Sequence, residues 1–179
     1  MAIWISSLAE APRLAKQHRP AMIVSLLSPY DTFPVFPGHA AERHLQVPIH
    51  DIAEDIGDWR APGATDTENV IRFVETWDQS APLLIHCWAG ISRSTASAFI
   101  AACVHNPGAD EGEIALAIRA ASPTASPNPR LVAHADAILG RSGRMTKAIN
   151  AIGRGDIAEE AIPFMIPAHF GPKALHRPA

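Results

Sequence analysis

The chain has 179 residues, of which 47% are hydrophobic and 18% charged, and its formal net charge is −3. This length suits one domain with a sizeable core, and the slight negative charge argues against a protein that binds nucleic acid by neutralising phosphates. Two cysteines are too few for a disulfide framework, so we expect a reducing, cytoplasmic environment. The apolar stretch 1–5 is short and lacks a basic flank, so we expect neither a signal peptide nor a membrane span.

The first part of the sequence alternates between short apolar runs and a helical pattern. Residues 2–6 alternate and predict an edge strand, after which Ser6 and Ser7 predict the start of a helix over residues 8–18. The nearly continuous apolar run 21–27 predicts a buried strand of a parallel sheet. The Pro- and Gly-rich segment that follows, residues 28–43, predicts a loop. Its aromatic side chains either pack beneath the loop or line a substrate cleft, and they are Tyr30, Phe33 and Phe36.

A short predicted strand, residues 45–49, leads into a segment rich in carboxylates. Enzymes with parallel sheets place chemistry at the carboxyl ends of strands, and Asp51 is separated from this strand by His50 alone. An exposed turn acid is the alternative interpretation for each carboxylate of the segment, which also holds Glu54, Asp55 and Asp58. The histidines nearby lack the spacing and partners of metal ligands, so we expect no metal site at His39, His44 or His50.

Residues 65–77 predict the helix that leads to the next strand. Thr65 and Glu68 have the spacing of a capping box at its start. Its apolar residues recur on one helical face, which indicates that this face packs on the core. They are Val70, Phe73, Val74 and Trp77.

The stretch from Leu83 to Thr95 is the centre of the sequence. It begins as an apolar run, breaks at Gly90 and continues with helical spacing, which predicts strand, loop and helix. The N–H groups of a loop that opens a helix form a concavity for oxyanions, and the same field favours the thiolate of Cys87. Arg93 can hold two oxygens of a phosphate. The pattern predicts a nucleophilic cysteine in a phosphate cradle, with a buried cysteine beside a surface arginine as the alternative.

Helical patterns dominate the rest of the chain. Small apolar side chains along residues 96–103 predict a buried central helix, in which Cys103 is a core residue too far along the axis for a disulfide with Cys87. Asp110 and Glu113 predict the cap of a further helix. Two more helices are predicted at residues 131–139 and 145–152.

Prolines interrupt the C-terminal segment, and we expect the last dozen residues, which include Pro178, to be extended or disordered. Apolar side chains within the same segment indicate that part of it docks on the core. They are Phe164, Met165, Ile166 and Phe170.

The central stretch resembles the signature of the cysteine-dependent protein tyrosine phosphatase superfamily, His-Cys-x5-Arg-Ser/Thr. His86, Cys87, Gly90, Arg93 and Ser94 stand at the matching places, and the Ser-Arg-Ser run resembles the dual-specificity branch. The resemblance covers roughly residues 3–141 and implies an α/β fold with a small, mostly parallel central sheet flanked by helices on both faces. We take residues 1–179 as a single domain, in which 142–179 add a C-terminal helix and tail.

The resemblance also implies roles for individual residues. Cys87 is the expected nucleophile, and Ser94 is expected to donate a hydrogen bond to its sulfur. Asp51 is the expected general acid, preferred to Asp55 because it follows the strand directly. His86 is expected to set the geometry of the thiolate. The expected substrate-binding residues are Trp88, Ala89, Gly90, Ile91, Ser92 and Arg93.

Asn128 lies between two prolines in a segment that resembles one found after the catalytic helix of dual-specificity phosphatases. In those enzymes the asparagine braces the phosphate loop, and a simple helix cap is the alternative role here.

These features together predict a phosphomonoester hydrolase that forms a cysteinyl-phosphate intermediate. We expect phosphotyrosine or phosphoserine proteins, or a small phosphomonoester, as substrates, with no cofactor, nucleic acid or membrane partner. A pseudophosphatase that binds phosphate without turnover is one alternative. A lipid or inositol phosphate phosphatase is another, although such enzymes tend to carry a lysine between the cysteine and the arginine of the motif.

Overall fold

The computed structural model describes residues 1–172 and contains one five-stranded sheet with the strand order β3-β2-β4-β1-β5. Neighbouring strands among the first four are parallel, whereas β5 runs antiparallel to β1. The predicted small, mostly parallel sheet is therefore confirmed. The strands are β1 (Ala2–Ser6), β2 (Met22–Leu27), β3 (His44–Pro48), β4 (Leu83–His86) and β5 (Phe164–Pro167).

Helices cover both faces of the sheet, as predicted. The helix α1 (Ala11–His18) packs on one face, where Leu14 lies in a small cluster with Ile23 and Leu84. The larger core on the other face joins the sheet to the remaining helices. They are α2 (Ala64–Glu75), α3 (Arg93–His105), α4 (Glu111–Ala121), α5 (Pro129–Ile138) and α6 (Arg144–Ile152).

The position of β1 differs from the predicted edge strand, because β5 pairs with its outer side. Phe164 and Ile166 are buried in this pairing, which confirms that part of the C-terminal segment docks on the core. The backbone N–H of Ala168 then donates to the Met1 carbonyl at 2.9 Å. The predicted extended or disordered tail falls mainly on residues 173–179, which lie outside the described residues.

The helix α3 runs through the middle of the fold, as its small side chains predict. Every side chain from Arg93 to Cys103 is buried, so the helix is enclosed by the sheet and its neighbouring helices. Within residues 1–172, none of the helices has the length and hydropathy to cross a bilayer.

Two helix starts differ from the predictions. The helix α1 begins at Ala11 after a turn, three residues later than predicted. The predicted capping box of Thr65 and Glu68 is wrong, because α2 begins at Ala64 and Thr65 already lies within the helix. Gly63 is extended there, and its N–H donates to the Asp66 carboxylate at 2.8 Å.

Candidate active site

The loop between β4 and α3, residues 87–92 (the phosphate loop), turns sharply against the carboxyl end of β1. Its turn requires Gly90, whose φ is +75°. A Cβ at this position would lie 2.8 Å from the Ser6 carbonyl carbon and 2.8 Å from the Ser7 nitrogen. Because a residue with a side chain would meet both the unfavourable φ and this backbone, glycine is the residue that fits.

The outer side of the phosphate loop is held by two backbone donors from distant parts of the chain. The Trp88 carbonyl accepts from the Leu8 N–H at 3.0 Å, and the Ala89 carbonyl accepts from the Ala161 N–H at 2.8 Å. In a trans peptide the C=O and the following N–H point in opposite directions. These two bonds therefore turn the next N–H groups toward the inner side of the loop.

The end of the loop nearest α3 is held in the same way. The Ile91 carbonyl accepts from the Ser126 N–H at 2.9 Å, and the Ser92 carbonyl accepts from the Asn128 N–H at 3.3 Å. Within the described residues, the backbone N–H groups of residues 88–92 donate to no protein acceptor. The loop thus offers a row of free donors beside the positive end of a buried helix, as an anion site requires.

Arg93 is the first residue of α3 and its side chain is buried. Its Nη1 donates to the Ile49 carbonyl at 2.8 Å, but its buried Nε makes no hydrogen bond in the described structure. The nearest anionic atom to that Nε is Oδ2 of Asp51, at 3.6 Å. A buried guanidinium with an unused donor is costly unless an anion completes it, so this side chain adds to the anion site.

Cys87 lies at the base of the same loop, where its Sγ is 3.1 Å from Oγ of Ser94. Both side chains are buried, Cys87 at 1% exposure and Ser94 at 0%. The predicted partner of the sulfur is therefore within hydrogen-bonding distance.

His86 belongs to a buried chain of hydrogen bonds that ends at the carbonyl of Cys87. Its Nδ1 is 3.4 Å from that carbonyl, and its Nε2 is 2.6 Å from Oγ of Ser25, which is also 2.7 Å from Nε2 of His44. Since a carbonyl only accepts, His86 carries its proton on Nδ1 and Ser25 donates to Nε2. His44 then donates to the Ser25 oxygen.

Burial lowers the pKa of His86 to about 4, and the nearby charges of His44 and Arg93 act in the same direction. Burial likewise lowers the pKa of His44, with a contribution from His39. His86 is therefore neutral at physiological pH. It contacts the backbone of Cys87, so the predicted effect on thiolate geometry would act through the main chain.

Asp51 lies beside the phosphate loop, as its position after β3 predicts. Its Oδ1 accepts from Oγ of Ser92 at 2.6 Å and from Nδ2 of Asn128 at 3.0 Å. Its Oδ2 makes no hydrogen bond among the described residues and is the carboxylate oxygen nearest to Arg93. Asp51 is thus fixed by one oxygen and presents the other toward the anion site.

Asn128 both caps a helix and supports the site. Its Oδ1 accepts from the N–H groups of Arg130 and Leu131 at the start of α5, at 3.0 and 3.2 Å. The brace interpretation expects the side chain to bind the phosphate loop directly, but it does not. It holds Asp51 instead, and its backbone N–H binds the loop at Ser92.

The other carboxylates of the segment are placed differently. Asp55 accepts from the Ala61 N–H at 2.8 Å and thereby closes its own turn. Glu54 and Asp58 are exposed and make no hydrogen bond in the described structure. Asp51 is therefore the carboxylate of this segment that contacts the phosphate loop.

The aromatic side chains of the 28–43 loop are divided between core and surface. Phe36 is buried and packs edge-on against His44 and His86, whereas Tyr30 is 79% exposed at 5.8 Å from His50. Within the phosphate loop, Trp88 is 60% exposed and so does not pack behind the loop.

The histidines on either side of β3 contact other groups. His39 is 2.9 Å from the Pro20 carbonyl, and His50 stacks on Trp59 at 5.1 Å. Among residues 1–172, no group of three or more His, Cys, Asp or Glu side chains converges as metal ligands would.

Solved structures share this arrangement of strands and helices. Human DUSP28 matches with a TM-score of 0.59 and 20% identity over 78% of this chain and 92% of its own. DUSP15 matches with a TM-score of 0.60 and 20% identity over 82% of this chain and 89% of its own. The chain has the dual-specificity phosphatase fold. PTPMT1 in complex with PI(5)P shares the same fold, with a TM-score of 0.53 and 14% identity over 82% of this chain and 89% of its own.

No family model matches the sequence, and no curated protein matches it. The similarity to the dual-specificity phosphatases is thus one of fold, and a shared fold does not by itself establish a shared function.

Several residues that build the site of this dual-specificity phosphatase fold have little signal in the sequence. The N–H groups of Leu8 and Ala161 and the carbonyl of Ile49 act through the backbone, which any residue could supply. Ser25 does carry a signal, because it is the one polar residue in the buried run Met22–Leu27.

Proposed function

We propose that the chain is a phosphomonoester hydrolase of the protein tyrosine phosphatase type, acting through a cysteinyl-phosphate intermediate. One observation carries the proposal: in the loop that begins at Cys87, the N–H groups of residues 88–92 and the buried Nε of Arg93 make no hydrogen bond within the described structure. This donor set suits the three equatorial oxygens of a phosphoryl group in transfer. The fold shared with dual-specificity phosphatases supports the same reaction class.

In the first step, the Cys87 thiolate attacks phosphorus in line with the ester oxygen. The S–P bond forms, the P–O bond to the leaving group breaks, and Asp51 gives its proton to the departing oxygen. The geometry that supports this role is the hold on Oδ1 by Ser92 and Asn128, which leaves Oδ2 available for the proton.

In the second step, water attacks the thiophosphate. Asp51, now ionised, takes a proton from the water, the S–P bond breaks and inorganic phosphate leaves. Ser94, whose Oγ lies 3.1 Å from the sulfur, donates to Sγ and makes it a better leaving group. Throughout both steps Arg93 and the loop N–H groups stabilise the phosphoryl oxygens.

We infer that the substrates are phosphotyrosine or phosphoserine proteins. The loop residues between Cys87 and Arg93 carry no charge, so nothing in the loop selects for a second phosphate, as a polyphosphorylated lipid headgroup would require. The exposed ring of Trp88 offers an apolar surface to a phosphoaryl side chain. Both cysteines are free thiols, which fits a reducing compartment such as the cytoplasm.

Hydrolysis of an aryl phosphate by the purified chain tests the reaction, with Cys87→Ser as the control. We expect turnover by the wild type alone. Tungstate binding without turnover in the wild type would instead identify a pseudophosphatase. A panel of phosphopeptides and phosphoinositides then tests the substrate class, and a preference for phosphoinositides would overturn our assignment to protein substrates.

A further inference from the structure

The segment 153–161, which follows α6, ends at the outer side of the phosphate loop, and we call it the arm. Its last residue, Ala161, donates its N–H to the Ala89 carbonyl at 2.8 Å. Within residues 1–172, the Ala89 carbonyl accepts no other hydrogen bond. The arm lies beyond the part of the chain that resembles the phosphatase motif, so the motif alone gives no reason to connect it with catalysis.

Two further hydrogen bonds fasten the arm ahead of its contact with the loop at Ala161. The Glu160 carboxylate accepts a hydrogen bond from the hydroxyl of Ser7, which is buried next to the turn of Gly90. Farther back, the Asp156 N–H donates to the Pro123 carbonyl at 2.9 Å. These bonds fix the arm to the two segments that also support the phosphate loop.

Packing adds to these bonds at Gly155. A Cβ on this residue would lie 2.4 Å from the carbonyl carbon of Thr124, so the arm lies directly on the backbone there. The segment beneath it, residues 124–128, donates to the other end of the phosphate loop through Ser126 and Asn128. The arm therefore contacts the phosphate loop at Ala161, and at Gly155 it contacts the segment 124–128, which also supports the loop.

Among the peptides of the phosphate loop, the one between Ala89 and Gly90 most depends on an outside hydrogen bond to fix its orientation. Glycine accepts positive and negative φ with similar ease, so this peptide plane can rotate at lower cost than its neighbours. Because the N–H of Gly90 points opposite to the carbonyl of Ala89, the bond from Ala161 decides which way that N–H faces. Loss of the bond would free the peptide to turn its carbonyl toward the anion site, where an oxygen would repel phosphate.

The arm also forms one wall of a cavity of about 540 Å³ that opens beside Asp51, Ser92 and Asn128. Arg154, Gly155, Asp156, Ile157 and Ala158 line that wall. The arm thus borders the residues that hold Asp51 beside the phosphate loop.

We propose that the arm is a positioning element of the active site, in which Ala161 and Glu160 hold the Ala89–Gly90 peptide in the orientation that binds an oxyanion. The proposal rests on the function proposed above only in taking the substrate phosphate as that oxyanion. Ala161 and Glu160 act through the loop and do not touch the reacting atoms.

Replacement of one backbone N–H tests the central contact. Ala161→Pro removes the donor to Ala89, and Ala158→Pro makes the same change on the arm at an N–H that has no protein acceptor in the described structure. We expect tungstate affinity, measured by calorimetry, to fall about tenfold in A161P, which is the effect of losing one hydrogen bond to the loop. A158P should bind as the wild type does. Equal affinities in two folded variants would overturn the proposal.

A second set of variants covers the case in which A161P does not fold. Glu160→Ala removes the acceptor for Ser7, Glu160→Gln keeps it, and Glu159→Ala removes the same charge from an exposed neighbour. Loss of a negative charge should by itself strengthen anion binding. Weaker tungstate binding in E160A, with binding in E160Q and E159A at least as tight as in the wild type, therefore supports positioning. Unchanged or stronger binding in E160A contradicts it.

Turnover of an aryl phosphate separates this proposal from the previous one. If the wild type binds tungstate but turns over nothing, the proposed hydrolase activity fails, while the binding comparison still decides the role of the arm. If the wild type is active, we expect kcat to fall in A161P with the melting temperature close to that of A158P. A drop in melting temperature with kcat and tungstate affinity unchanged would show a purely structural arm and overturn the proposal.

Discussion

The two ends of helix α3 hold the same types of residue and use them differently. Each end has a buried cysteine and a buried arginine, namely Cys87 with Arg93 at the start and Cys103 with Arg141 at the finish. At the finish, Arg141 donates to the Cys103 carbonyl at 2.7 Å, to the Pro107 carbonyl at 2.9 Å and to Glu111 at 3.2 Å. Its charge is thus neutralised and its donors are used within the protein.

The start of the helix leaves its donors free. Arg93 has an unused Nε, and the loop N–H groups before it have no protein acceptor in the described structure. The helix dipole explains why the ends differ, because it favours an anion at the start and a cation at the finish. Burial also raises the pKa of Cys103 to about 12, so that thiol stays protonated. Residue types alone therefore do not make a site, and unsatisfied donors do.

Exchanging each sulfur for oxygen is the strongest way to break this comparison. Cys87→Ser should lower kcat by about 10⁵-fold, the scale on which loss of a nucleophile acts, because a serine hydroxyl without a base is a poor nucleophile. Tungstate binding should persist, since the backbone forms the cradle. Cys103→Ser should retain wild-type kcat and lose about 1 kcal/mol of unfolding free energy through burial of a hydroxyl. Steady-state kinetics and denaturant unfolding measure both, and comparable kcat losses would contradict the assignment.

Shortening each arginine to lysine tests the two guanidinium groups. Arg93→Lys should lose about 3 kcal/mol of transition-state stabilisation in kcat/KM, because an ammonium cannot hold two oxygens in one plane. Arg141→Lys should instead lower the unfolding free energy by about 2 kcal/mol, as several hydrogen bonds to carbonyls and Glu111 are lost. An R93K enzyme within threefold of wild type would remove the distinction between the two ends.

The two ends also carry a histidine each, His86 before the helix and His105 at its end. The pKa of His86 is lowered from 6.5 to about 4, so the unfolded chain binds its proton first as the pH falls. Stability from this group is complete above pH 6.5 and is lost toward pH 4. At 1.36 kcal/mol per pH unit, the loss is about 3 kcal/mol.

Urea unfolding at a series of pH values measures this loss. We expect His86→Gln to flatten the acid limb relative to His105→Gln, the matched change at the other end. An unchanged limb in H86Q would show that other groups cause the acid sensitivity.

The carboxylates at the two ends sharpen the comparison further. Glu111 forms short ion pairs with Arg141 and Arg144, whereas Oδ2 of Asp51 makes no hydrogen bond in the described structure and lies 3.6 Å from Nε of Arg93. Asp51→Asn should reduce turnover of a phosphotyrosine-like substrate about a hundredfold. Turnover of an activated phenyl ester should fall much less, because its leaving group needs no proton. The variant should also lose the alkaline limb of the pH–rate profile. Asp55→Asn should resemble the wild type, since an amide oxygen can still accept from Ala61. The reverse pattern would make Asp55 the acid.

The sequence predicted the features that depend on side chains close together along the chain. The strand, loop and helix around Cys87 and the burial of α3 follow from local apolar runs and small residues. The proximity of Asp51 to the loop follows because parallel strands end at one edge of the sheet. Local periodicity and strand order thus account for the position of the site.

The features that were missed depend on contacts between distant segments. The sequence predicts β1 as an edge strand because no residue near it indicates its antiparallel partner, Phe164–Pro167, which lies far along the chain. The hydrogen bond from Ala161 to Ala89 joins backbone atoms, so the identities of the two residues do not reveal it. The start of α2 is capped by Gly63 and Asp66 rather than by Thr65 and Glu68. Several neighbouring residues could begin this helix, and the three-dimensional path of the chain decides among them.

The central claim, that Cys87 forms a covalent bond to phosphorus, is tested most directly by trapping the intermediate. An aryl phosphate is mixed with an enzyme whose second step is slowed by Ser94→Ala, the reaction is quenched in acid within milliseconds, and the peptides are analysed by mass spectrometry. The account predicts the added mass of one phosphoryl group on the peptide that contains Cys87, together with a burst of phenol equal to the enzyme concentration. Phenol release with no phosphoryl group on Cys87, or with the group on another side chain, would contradict it.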